Sequence, residues 1–151
     1  MDKASAYILV ISAFFAIIAS APWIFGFLSS SVNPANIENV GSIKAINIGV
    51  YWDSNCTDEV STIEWGTLEP GSSRSVNIYV RNEGNTAVIL DLNTTNWTPV
   101  SASDYISLSW DYSGRRIDPE EVIQVTLRLT VSPKISGITT FSFEIVISGN
   151  D

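Results

Sequence analysis

The chain has 151 residues with 8 Lys+Arg against 16 Asp+Glu, a formal net charge of −8. That is about one domain's worth of protein, and its acidity argues against nucleic acid as a partner, because phosphate binding needs a basic patch. Histidine is absent and Cys56 is the one cysteine, so the usual general base, the commonest metal ligand and an internal disulfide are all missing.

The first element is hydrophobic. No charged side chain occurs from Ala4 to Leu28, a run longer than the roughly 20 apolar residues that cross a bilayer core. This predicts a transmembrane helix over 4–28. A secretory signal competes with it, because Ala19-Ser20-Ala21 forms an A-x-A site. Pro22 would then begin the mature chain and the apolar run continues past the site to Leu28, so an uncleaved anchor is the expectation. Trp23 and Phe25 suit the membrane–water interface. Lys3 precedes the span and the next cation is Lys44, which predicts a single pass through the cell membrane with a short cytoplasmic N-terminus and an extracellular C-terminal domain.

Residues 29–42, "SSSVNPANIENVGS", are rich in Ser and Asn without helical or strand periodicity and read as a linker. The folded domain is then expected over 43–151. From Ile43 the period is two. Apolar residues alternate in "IKAINIGVYW" (Ile46, Ile48, Val50, Trp52), "SVNIYVRN" (Val76, Ile78, Val80) and "AVILDLN" (Val88, Leu90, Leu92). They alternate again in "YISLSWDY" (Ile106, Leu108, Trp110), "VIQVTLRLTV" (Ile123 to Val131) and "TFSFEIVIS" (Phe141 to Ile147), and "STIEW" adds a short strand. Turn signals at Pro70-Gly71, Glu83-Gly84-Asn85, Ser113-Gly114, Asp118-Pro119 and Pro133 with Gly137 separate them. The expected fold is mainly β, an immunoglobulin-like antiparallel β-sandwich of about seven strands behind the N-terminal helix.

The stretch "GTLEPGSSRSVNIYVRNEGNTAVIL" resembles secreted immunoglobulin-like and fibronectin-like domains, and in particular small archaeal surface proteins with an N-terminal hydrophobic helix. The resemblance implies a cell-surface or filament setting and carries over no catalytic residue. "DKASAYILV" looks like the cleavage site of archaeal prepilins, with processing after Ala4, although Pro22-Trp23 interrupts the helix that a pilin would pack into its filament. "NVGSIKAINIGVYW" is a segment that can leave its own sandwich and add to a neighbour's open edge. To that extent the domain resembles TasA/camelysin-type biofilm-fibre subunits.

Asn55, Asn93 and Asn96 each begin an N-x-S/T sequon in an expected connection, and are candidate glycosylation sites. In "WDSNCTDE", Asp53, Asn55, Thr57 and Glu59 fall at alternate positions, a spacing at which oxygen ligands can curl around calcium. No glycine makes the sharp bend there, and a solvated loop is the plainer reading. Cys56 in the same loop is a candidate for an intermolecular disulfide, with an inert, partly buried thiol as the alternative. Trp97, in a polar stretch, is a candidate sugar-stacking residue, whereas Trp52 and Trp110 fall in core phase. Asp118–Glu121 reads as a charged turn, since acid–base catalysis needs an opposed pair in different environments. Ser72 and Ser73 lack a histidine and a strand-to-helix elbow.

The function expected is a membrane-anchored structural or adhesive module of the cell surface, non-catalytic and without a cofactor unless calcium. The alternatives are a subunit of an extracellular filament, self-associating through a pilin-like helix or donor strands, and an exported carbohydrate-binding module.

Overall fold

The computed structural model describes residues 39–151. The expected membrane helix 4–28, both cleavage sites and most of the linker lie outside these residues. Among the described residues no helix is long and apolar enough to cross a membrane.

Eight strands follow in order: β1 (Val40–Ile46), β2 (Ile48–Tyr51), β3 (Thr62–Glu64), β4 (Ser73–Asn82), β5 (Ile89–Thr98), β6 (Ile106–Trp110), β7 (Val122–Val131) and β8 (Ser142–Asn150). One 3₁₀ turn, Val100–Asp104, leads from β5 to β6. The strands form two four-stranded sheets, ordered β3-β1-β8-β5 and β2-β4-β7-β6. The period-two pattern gives each strand one apolar face. Ile78, Val80, Val125, Leu127 and Leu129 of one sheet thus meet Leu90, Phe143, Ile145 and Ile147 of the other in a single core. Each such buried side chain contributes about 1.5–3 kcal/mol relative to exposure.

Two expectations change at the N-terminal side. The sandwich reaches back beyond Ile43, since β1 takes Val40–Ser42 from the stretch read as linker. Asn39 is buried ahead of it, its amide Nδ2 donating to Gly66 O at 2.7 Å. Periodicity could not find this strand start, because Gly41 is the inward residue and carries no apolar side chain to mark the phase. A Cβ at Gly41 would lie 2.8 Å from Ile145 Cδ1 and 3.1 Å from Trp65 Nε1. Glycine there lets the fully buried Trp65 ring lie against the strand.

"IKAINIGVYW" is two strands, one in each sheet, rather than one. The chain changes sheets at Asn47, whose φ of 62° lies in the left-handed region that Asn tolerates better than most residues. The bend breaks the alternation. Ile46 is 40 % exposed and Trp52, beyond the end of β2, is 38 % exposed, so the expectation that Trp52 is core fails. The sheets are also not wholly antiparallel. β1 runs parallel to β8 from Val40 opposite Ser142 to Ile46 opposite Ser148, while its other neighbour, β3, is antiparallel over three residues. The first strand is therefore interior to its sheet.

The turns follow the sequence signals. Ser72 N–H donates to Glu69 O at 3.0 Å across Pro70-Gly71, with Gly71 at φ 79°. That is a type II turn, proline presetting its first central residue and glycine accepting positive φ at the second. Asn82 explains "RNEGN". It is completely buried at the end of β4, its Nδ2 donating to Thr86 O (2.7 Å) and Ile117 O (3.0 Å) while its Oδ1 accepts Gly84 N–H (2.9 Å). One side chain thus ties the turn after β4 to the segment before β7.

Candidate functional site

The loop after β2 is closed by one carboxylate. Asp53 Oδ1 accepts the N–H groups of Thr57 and Asp58 at 2.9 Å each, and its Oδ2 accepts the Thr57 hydroxyl at 2.9 Å. These bonds, the one from Asp58 foremost, hold the Asp53 carboxyl below the ordinary aspartate value of 3.8. Of the four alternate-position oxygen residues, Asp53 and Thr57 are brought together, and they bond each other. Glu59 lies opposite Tyr51 as an isolated bridge, and Asn55 is exposed at the tip. Among the described residues no three Asp, Glu, Cys or His side chains converge as for a metal. Cys56, at φ 57°, is half-buried, and burial pushes its thiol up from the ordinary value. Beside the loop, Tyr51 Oη donates to Glu83 Oε1, and that bond is the main reason its phenol is pushed up to about 12.

Two sequons stand elsewhere than expected. Asn93 and Asn96 belong to β5 rather than to a connection. Both are exposed, and Asn96 sits at the bulge between Thr95 and Thr98 with φ 55°, its Nδ2 donating to Glu144 Oε2 at 3.0 Å. The run "NTTNWT" hides this strand because it is polar where a core strand would be apolar. Trp97 lies in the same strand rather than in a loop. Its ring is half-buried in β5, stacked on Phe143 at 4.2 Å and 6°, with Nε1 donating to Thr94 Oγ1 at 3.3 Å. It packs against the core through that stack.

The charged turn has a structural part. Glu121 Oε1 accepts Arg115 Nη2 at 2.6 Å and Oε2 accepts Asp118 N–H at 2.9 Å. Arg115 foremost, then Asp118, holds this carboxyl below its ordinary value.

Sheet edges are the remaining contact surfaces, and among the described residues three of the four are partly covered or blunted. Along β2, Val60 N–H donates to Val50 O (2.9 Å) and Trp52 N–H to Asp58 O (2.7 Å), so the 58–60 segment covers it. On β5, Val88 and Ile117 exchange both backbone bonds, Leu90 N–H donates to Tyr112 Oη at 3.2 Å, and Thr94 N–H to Asn93 Oδ1 at 2.8 Å. β3 is three residues long and ends on the exposed Glu64, and shortness and charge both discourage pairing. The closures of β5 by Ile117 and Tyr112 had no sequence signal, because both partners lie more than twenty residues further along the chain.

Compared with known proteins, the chain matches no family model, and no curated protein is significantly similar to it.

Proposed function

We propose that the chain is a non-catalytic structural protein of the cell surface, carried on the hydrophobic segment 4–28, whose sandwich joins copies by exchanging β1. The order β2-β4-β7-β6 facing β5-β8 supports an immunoglobulin-like reading, in which these strands would take the ABED and CF places and β1 the place beside F, there running parallel to β8. One observation carries the reading. "IKAINIGVYW" has the alternation of a continuous strand, yet a single left-handed residue, Asn47, folds β1 back into its own sheet and leaves Ile46 exposed beside it. Extending Asn47 would make β1 and β2 one strand and send β1 to the slot between β3 and β8 of a neighbour, a domain swap. β1 suits exchange because Gly41 is its one fully buried residue; the main-chain bonds that hold it are the same from any copy.

Asn47→Val tests this, because a β-branched residue disfavours positive φ. It should raise the share of sedimenting, fibre-forming protein, and Asn47→Gly should lower it. Fibres absent from wild type and both variants alike at high concentration would overturn exchange.

A second reading keeps the protein as a monomeric, membrane-anchored module. It is supported by the pairing of β1 with its own β8 along its whole length. An intact N-terminus, detergent-dependent solubility and no fibres in material sheared from cells would favour it, whereas cleavage after Ala4 with fibres would favour the filament. The exposure of Asn55, Asn93 and Asn96 supports glycosylation, which intact mass reads directly.

A further inference from the structure

We infer that β6 is an isologous interface, pairing antiparallel with β6 of a second copy about a two-fold axis at Leu108. Ser132 N–H donates to Tyr105 O at 2.7 Å, which makes Tyr105 and Ser132 a bonded pair. Alternation along the antiparallel register then turns Ser107 and Ser109 toward β7 and leaves the N–H and C=O groups of Ile106, Leu108 and Trp110 pointing away from it. Asp111 follows the same phase, its carboxylate accepting Thr126 N–H at 2.7 Å where main-chain pairing stops. Among the described residues nothing bonds the outward groups of Ile106, Leu108 and Trp110. Natural edge strands are usually blunted by charge, proline, bulges or a covering loop. β2, β3 and β5 are blunted in those ways, whereas β6 reads "ISLSW" with none of them.

The occupant follows from self-complementarity. With Leu108 opposite Leu108 of the second copy, Ile106 falls opposite Trp110 and Trp110 opposite Ile106. All three are outward-facing, so every free N–H and C=O of these residues finds a partner. A slip by one residue would set outward groups against inward ones. On the outer face Ser107 meets Ser109. At the ends Asp111 falls opposite Tyr105 and Asp104 opposite Tyr112, so no like charges meet. Leu108 and Trp110, half-buried on the inner face, gain cover from the added strand. A five-residue edge gives a small contact, of the weak kind below about 1,200 Å²; tethering on one surface raises the effective concentration that such a contact needs. The inference does not rest on exchange of β1, which lies in the other sheet.

Ser107 and Ser109 would form a non-bonded antiparallel pair, the closer of the two kinds, within disulfide reach. Ser107 and Ser107 of the two copies would be diagonal, about 7–8 Å apart, beyond easy bridging. The test uses the full chain carrying Cys56→Ser, reconstituted in lipid vesicles at one protein density. It compares Ser107→Cys alone, Ser109→Cys alone and their equimolar mixture under mild oxidation. The mixture should form the disulfide-linked dimer several-fold faster than either variant alone. Leu108→Pro added to both should reduce that rate to the single-variant level, since the N–H it removes makes no bond within the chain. Equal rates in the three preparations, or no dimer in the mixture, would overturn the interface whatever the proline variant does.

Discussion

Asp53 shows how a loop rich in candidate ligands becomes a loop that organises itself. Its three accepted bonds favour the carboxylate, and the sign of the pH effect follows. A carboxyl held below its ordinary value contributes order that is present above the unfolded value, near 3.8, and lost as pH falls through the lower folded value. The Thr57 and Asp58 amides should therefore be protected, relative to their intrinsic exchange rates, at neutral pH and lose that protection in acid, and Asp53→Ala should abolish the protection at every pH; hydrogen exchange by NMR reads both. Tyr51 runs the other way. Its phenol is pushed up to about 12, so the contribution of the Glu83 bond is complete below the ordinary tyrosine value of about 10 and disappears as pH rises through the folded one. In an ultraviolet titration one tyrosine should ionise late, and Glu83→Gln should return it toward the others. At Asn82 the expected effect is on stability. Asn82→Ala leaves two carbonyls and one N–H without their partner, and a loss of about 1–3 kcal/mol should appear as a lowered denaturation midpoint.

Strands β4, β7 and β8 were legible in the sequence because their inward residues are large and apolar and their turns carry Pro-Gly, Asp-Pro or Gly signals. β1 was legible only in part. Its inward position at Gly41 bears no side chain, and its partner, β8, lies at the far end of the chain and parallel to it, a pairing that no local pattern encodes. The continuous alternation through Asn47 hid the change of sheet, and the polar run from Asn93 to Thr98 hid half of β5. The candidate site was less legible still. The sequons and the acidic loop could be found as motifs, but the occupation of the Asp53 oxygens depends on the loop's exact bend, and the bond from Leu90 N–H to Tyr112 is a tertiary contact twenty-two residues apart. The packing at Gly41 supplies a direct check. Gly41→Ala puts a methyl group within 2.8 Å of Ile145 Cδ1, an overpacking that should cost about 1–3 kcal/mol and lower the thermal midpoint.

For the whole molecule, the two proposed contacts use different sheets. Exchange of β1 is head-to-tail and propagates, whereas β6 pairing is two-fold and closes after two copies. Electron microscopy should separate them: Leu108→Pro is expected to leave fibres intact and remove only their side-by-side pairing, while Asn47→Gly should shorten or remove the fibres themselves. The parallel alignment of β1 with β8 also bears on mechanics. If segment 4–28 anchors the chain as proposed, a pull from it reaches β1 through Asn39 and, when it acts along the strand axis, slides β1 between two neighbours instead of peeling it from one end. The hydrogen bonds to β8 and β3 are then strained together rather than in succession. A domain tethered in this way should resist axial tension far better than transverse tension, and single-molecule extension through the N-terminus would measure the difference as a higher rupture force in the axial direction.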